Sequence, residues 1–68
     1  MIELVRYHEV ISEAWHIFRK YAERAPLSGP EWDRAIEEMT FFPERHSGCE
    51  RIAGKLMIAL EDELERMK

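Results

Sequence analysis

The stretch that divides this chain is Ala25-Pro26-Leu27-Ser28-Gly29-Pro30, and a second interruption follows at Phe42-Pro43. Proline removes a helix donor and disfavours helical geometry in the residue before it. The two interruptions therefore separate three segments. Apolar residues recur at helical spacing within the segments, and no useful β-alternation appears. The sequence predicts an all-α fold: a small antiparallel three-helix bundle with a long helix 1, a short helix 2 and a long helix 3.

We expect a single helical domain over residues 1–68, with helices at about 3–24, 31–41 and 48–67. Ser28 or Gly29 can cap helix 2, whose first turn suits Pro30. The stretch 47–50, Ser-Gly-Cys-Glu, has the capping-box pattern and predicts the start of helix 3. A core this small supplies only ~3 to 5 kcal/mol. We therefore expect dimerisation to complete the bundle.

Each predicted helix has an apolar stripe that should face the core. In helix 1 the stripe is a heptad seam with further apolar residues beside it, so this helix is predicted to be central. The seam consists of Leu4, Tyr7, Ile11, Ala14, Phe18, Tyr21 and Ala25. The stripe of helix 2 is Trp32, Ala35, Ile36, Met39 and Phe42, and that of helix 3 is Cys49, Ile52, Ala53, Leu56, Ala59, Leu60, Leu64 and Met67. Met57 should lie at the edge of the helix 3 stripe.

Composition narrows the class of protein. Apolar residues make up 46% of the chain and charged residues 35%, enough for both a core and a solvated surface, which predicts a folded chain. The formal net charge is −4. The first residues lack the apolar segment of a signal peptide, and no stretch approaches the ~20 apolar residues that span a bilayer. The single cysteine, Cys49, excludes an internal disulfide and favours a reducing compartment. We expect a cytoplasmic protein that does not contact membranes.

Few residues suggest chemistry. No phosphate-binding glycine loop, Ser-His-Asp arrangement or Cys-x-x-Cys pair occurs. His46 and Cys49 have the spacing of half a zinc site, but the other ligands would have to come from elsewhere in the chain or from another subunit. The phase of Cys49 matches the inward stripe, which favours a buried thiol instead. We predict no enzymatic activity, no cofactor and no metal.

A helix-turn-helix DNA-binding regulator that reads DNA with helix 3 is the alternative prediction. Its possible contacts to phosphates or bases are Arg45, His46, Arg51 and Lys55. Glu44 and Glu50 interrupt this basic patch. Duplex binding depends on neutralising phosphates, so the net negative charge makes nucleic acid the less favoured partner.

The favoured hypothesis is a helical protein–protein interaction module. It would be a small regulator or inhibitor of a larger protein, for example one encoded on a phage or mobile element, and its partners would be a second copy and another protein. The candidate partner or dimer surface comprises Tyr7, Trp15, Ile17, Phe41 and Ile58, of which Phe41 and Ile58 point off their stripes. The candidate acidic surface comprises Glu31, Asp33, Glu37 and Glu38, which could engage a basic partner.

Overall fold

The computed structural model describes residues 4–67 and contains three α-helices. Helix α1 spans Leu4–Ala22, α2 spans Gly29–Phe41 and α3 spans Glu50–Arg66, and a short 3-10 turn at Pro43–Arg45 follows α2. The prediction of an all-α three-helix bundle is confirmed. The predicted start of helix 1 at residue 3 lies outside the described residues. None of the helices within 4–67 combines the length and hydrophobicity needed to cross a membrane.

Helix α2 begins two residues earlier than predicted because its cap is complete. The Glu31 N–H donates to Ser28 Oγ at 3.3 Å, and the Ser28 N–H donates to Glu31 Oε1 at 3.1 Å. This reciprocal pair is a capping box, and Pro30 lies in the first turn, where its missing N–H costs nothing. The predicted end of the helix at Phe41 is confirmed.

The predicted capping box of helix 3 is wrong. The N-cap is Cys49, which makes no side-chain capping bond, so the helix begins at Glu50 rather than near residue 48. Gly48 instead has φ of +89°, a left-handed conformation that favours glycine. The Cys49 N–H donates to the His46 carbonyl at 2.9 Å, which closes a turn before the helix. Residues 46–49 therefore turn the chain rather than start a helix.

Contacts between the elements define their directions. Lys20, near the end of α1, contacts Glu38 in α2, whereas Glu13, earlier in α1, contacts Arg45 just beyond α2. Helices α1 and α2 are therefore antiparallel. Tyr7 and Ile52, near the starts of α1 and α3, line one groove. Trp32, near the start of α2, and Leu64, near the end of α3, line another. Helices α1 and α3 therefore run parallel, and α2 runs opposite to both. Helix α1 contacts both other helices and packs mainly against α3.

The buried arc of α1 overlaps the predicted seam at Ala14 and Tyr21 but is displaced to one side of it. Its buried residues are Val10, Ala14, Ile17 and Tyr21, whereas Leu4 and Ile11 are 84% and 50% exposed. The predicted stripe of α2 is confirmed, with Ala35, Met39 and Phe42 buried and Trp32 and Ile36 partly buried. In α3, Met57 is buried rather than at the edge. Ala59 and Met67, which were predicted to face inward, are exposed.

Phe41 and Phe42 provide a matched test of this core. Phe42 is fully buried and Phe41 is 52% exposed. We expect Phe42→Ala to cost about 3 to 5 kcal/mol, close to all that a core of this size supplies, and so to leave the chain largely unfolded. Phe41→Ala should change the free energy of unfolding by no more than about 0.5 kcal/mol. Urea unfolding followed by circular dichroism measures both, and equal losses would contradict the assignment.

Candidate interaction surfaces

A polar cluster joins α1 to α2. Lys20 Nζ donates to both carboxylate oxygens of Glu38, at 2.9 and 2.8 Å, and the Tyr21 hydroxyl donates to Glu38 Oε2 at 2.7 Å. Tyr21 is a core residue: its ring is buried, and its hydroxyl group makes the hydrogen bond to Glu38. Glu38 was predicted to belong to the candidate acidic surface. In the structure its carboxylate pairs with Lys20 and Tyr21 of α1.

The cluster changes the acidity of two of its members. Burial, together with the hydrogen bond and negative charge of Glu38, raises the pKa of the Tyr21 phenol to about 12. For Glu38 itself, burial is the largest single effect and opposes ionisation. The hydrogen bonds from Lys20 and Tyr21, with the positive charge of Lys20, together outweigh it and hold the pKa of the carboxyl below its usual value. The cluster therefore stabilises ionised Glu38 beside neutral Tyr21.

A second cluster joins α1 to the connection between α2 and α3. Arg45 Nη2 and His46 Nε2 each lie 3.0 Å from a carboxylate oxygen of Glu13. The His46 Nε2 atom is buried, but its approach to Glu13 lacks hydrogen-bond geometry. The Phe42 ring lies 4.6 Å from the His46 ring, and the Arg45 guanidinium lies 5.5 Å from the centre of the same phenyl ring. Glu13 therefore stabilises the turn that follows α2.

This second cluster weakens the nucleic-acid hypothesis. Of the predicted contacts to phosphate or bases, Arg45 and His46 are already engaged with Glu13. The other two predicted contacts, Arg51 and Lys55, are exposed on α3. Two cations neutralise little phosphate charge, so the geometry gives a helix-turn-helix reader less support than the residue pattern did.

The half-site pattern of His46 and Cys49 does not assemble a metal centre in the described chain. Cys49 is buried at 2% exposure, as its phase in the sequence predicted. Within residues 4–67, no three His, Cys, Asp or Glu side chains are grouped closely enough to hold an ion. The thiol is part of the core beneath the start of α3.

One flank of α1 is both apolar and exposed. Leu4, Ile11 and Trp15 are 84%, 50% and 53% exposed, and at about 100° per residue they lie within a narrow arc of the helix. The Trp15 ring contacts Phe18, with ring centres 6.2 Å apart. Ile17, a predicted surface residue, is 5% exposed and belongs to the core. Sequence reasoning missed Leu4 and Ile11 because it assigned them to the inward seam.

A groove continues this flank towards α3. It has a volume of about 350 Å³ and is lined by Tyr7 from α1 and by Gly48, Cys49, Arg51, Ile52 and Lys55. Farther along α3, Ala59 and Glu63 are exposed and follow Lys55 at four-residue steps, so they lie on the same flank of the helix. These three parts form one continuous surface, which we call the α1–α3 face. It consists of the flank of α1 with Leu4, Ile11 and Trp15, the groove, and the flank of α3 with Lys55, Ala59 and Glu63.

The outward side of α2 forms a separate surface. Asp33, Glu37 and Phe41 are all exposed and recur every four residues, so they lie on one line opposite the buried side of the helix. Neither Asp33 nor Glu37 has an ion-pair partner among residues 4–67. Glu31 differs from them because its carboxylate caps the helix at Ser28. We call Asp33, Glu37 and Phe41 the α2 face. Of the other predicted surface residues, Ile58 is 64% exposed on α3 and Tyr7 is partly buried in the groove.

No protein-family model matches the chain, and comparisons with curated proteins and with solved structures find no significant match. The α1–α3 face and the α2 face both carry exposed large apolar side chains.

The Tyr21 and Glu38 pair predicts how stability depends on pH. Unfolded Tyr21 ionises at its ordinary pKa of 10.0 and the folded form at about 12, so the free energy of unfolding should fall as pH rises through that interval. Glu38 contributes stability above its ordinary pKa of 4.5, and this contribution is lost as pH falls through the lower folded pKa. Tyrosinate absorbance of a Tyr7→Phe variant measures Tyr21 alone. Glu38→Gln should lower the Tyr21 pKa, and an unchanged midpoint would contradict the hydrogen bond.

Burial of Cys49 predicts slow modification of the thiol. An alkylating reagent should label the native chain far more slowly than the chain in denaturant, because the sulfur is reached only when the structure opens. Mass spectrometry at a series of times gives both rates. Labelling of the native chain as fast as that of the unfolded chain would show that the thiol is accessible through the groove.

Proposed function

We propose that this protein is a non-enzymatic helical interaction module that acts as a small regulator or inhibitor by binding a larger protein. The observation that carries the proposal is the α2 face. It places Asp33, Glu37 and Phe41 on one exposed line about 12 Å long at ~1.5 Å per residue. An aromatic anchor beside unpaired carboxylates is suited to recognising a protein surface.

The disposition of the remaining polar groups supports binding rather than catalysis. Lys20, Tyr21 and Glu38 satisfy one another between α1 and α2. Glu13 pairs with Arg45 and lies against His46. Groups used in this way hold helices together, whereas a catalytic site needs a nucleophile or base directed into a cavity that receives a substrate.

The charges and the aromatic ring of the α2 face indicate what kind of protein surface it would bind. Two carboxylates without partners in the described chain attract a basic surface, and complementary charge speeds association and selects among partners. Phe41 would enter an apolar depression between the basic groups, where its burial would supply most of the affinity. The partner we propose is therefore a protein with a basic surface around an apolar pocket. A cytoplasmic location is part of the proposal, since Cys49 is a free thiol.

The test is affinity capture from lysate of the native cell with wild type, Phe41→Ala and the charge reversal Asp33→Lys/Glu37→Lys. We expect Phe41→Ala to weaken binding of the captured partner by about tenfold or more, as for an aromatic hot spot. The charge reversal should abolish capture, and added salt should weaken wild-type binding because exposed charges are screened.

Glu65→Lys is the matched control, since it reverses an exposed carboxylate on α3 outside the α2 face. It should capture the same partner as wild type. Circular dichroism of each variant checks that the helices are intact. If Phe41→Ala and the charge reversal both retain the wild-type partner at wild-type affinity, the α2 face is not the binding surface and the proposed mode of recognition is wrong.

A further inference from the structure

We infer that the α1–α3 face binds a second copy of the chain, antiparallel to the first, about a two-fold axis that passes near Trp15 and Ala59. This inference goes beyond the proposed function. It concerns a different face from the one that carries the proposed regulatory contact, so each can fail without the other. Self-association leaves the α2 face free for the larger protein.

The apolar half of the face is a flank of α1 without carboxylates. Leu4, Ile11 and Trp15 are exposed along it, and Phe18 is packed against Trp15. Glu9 and Glu13 lie on the opposite side of the helix at about 100° per residue. A strip without carboxylates around a central tryptophan is suited to an interface, where aromatic residues are enriched.

The groove relates positions on α1 to positions on α3. Tyr7 and Ile52 both line it, and α1 and α3 run parallel. Helices rise equally per residue, so about two turns farther along Trp15 is level with Ala59. Ala59 is exposed and small, and a small residue allows a partner helix or indole ring to approach closely. The centre of the face therefore combines a large aromatic side chain with adjacent space.

Two charged side chains on α3 favour one orientation of the second copy. Lys55 lies one turn before Ala59 and Glu63 one turn after it, both exposed on the same flank. When a second copy packs antiparallel about Ala59, Lys55 meets the partner subunit's Glu63, and symmetry makes this pair twice. A parallel copy would instead set Lys55 against the apolar strip of α1. Charge complementarity therefore favours the antiparallel arrangement.

The face is also large enough for a dimer. Helix α1 has 19 residues, which gives a length of about 28 Å at ~1.5 Å per residue. Two adjacent helices are about 20 Å wide, since their axes lie ~8 to 10 Å apart. A face of these dimensions is of the same order as the ~800 Å² per partner of a standard protein interface. The second copy can therefore cover the groove and the apolar strip together.

Sedimentation equilibrium over a concentration series tests the inference on the intact chain. Wild type should approach twice its mass of 8.1 kDa. Trp15→Glu should weaken dimerisation by about a hundredfold or more, because it places two charges at the centre of the interface. Ala59→Arg provides a second variant, since it fills the space without touching the core. Ile58→Glu is the matched control, because Ile58 is 64% exposed on another side of α3, and it should dimerise as wild type does.

A charge swap tests the orientation. Lys55→Glu and Glu63→Lys should each raise the dimer dissociation constant by about five- to thirtyfold, because two exposed pairs become like-charged. The double variant Lys55→Glu/Glu63→Lys should restore wild-type dimerisation. The control double variant Lys55→Glu/Glu65→Lys should not, because Glu65 lies off this flank.

Three results would overturn the inference: a wild-type chain that remains monomeric at millimolar concentration, Ile58→Glu that disrupts the dimer as strongly as Trp15→Glu, or a charge swap that restores nothing. Affinity capture with the monomeric Ala59→Arg variant separates the two proposals. Retained capture would leave the regulatory contact intact whatever the oligomeric state. Loss of capture by Phe41→Ala in a chain that still dimerises would confirm that the two faces act separately.

Discussion

Burial of Phe42 at the end of α2 is the interaction on which the rest of the structure depends. The ring is fully buried where the chain must turn from α2 towards α3. It packs against His46, and Arg45 covers its face. Arg45 and His46 in turn lie against Glu13 of α1. A single apolar anchor therefore positions the turn and directs the polar contacts that hold α1 beside it.

Polar contacts are unevenly distributed among the helix pairs. The paired charges of Lys20 with Glu38 and of Glu13 with Arg45 lie between α1 and the α2 side of the molecule. This placement uses side chains on one arc of α1, whereas Leu4, Ile11 and Trp15 are exposed on another arc. That arc is open beside α3, and the unpaired carboxylates lie on the far side of α2. Two chemically different surfaces on one small chain are the physical basis for proposing two different contacts.

Two similar sequence patterns lead to opposite local structures. Residues 28–31, Ser-Gly-Pro-Glu, form a capping box, whereas residues 47–50, Ser-Gly-Cys-Glu, do not. Pro30 presets its own φ for the first turn of α2. Gly48 instead takes a positive φ, closing a turn that carries Cys49 into the core before α3 starts. The pattern caps a helix at Ser28, where Gly29 already has helical geometry, and does not at Ser47, where Gly48 lies outside the helix.

The sequence by itself determined the three helices, the apolar stripe of α2 and the outward position of Phe41 and Ile58. Proline interruptions and helical periodicity are local properties, so they need no knowledge of the partners. Only the tertiary structure decided which arc of α1 is buried, because the apolar residues of α1 cover more than one face of the helix. Ile17 is buried, whereas Ile11 is half exposed. The tertiary structure also decided which acids are free: Glu38 meets Lys20 of another helix, whereas Glu37, one residue away, faces outward. Both outcomes depend on contacts between segments distant in sequence, which periodicity does not encode.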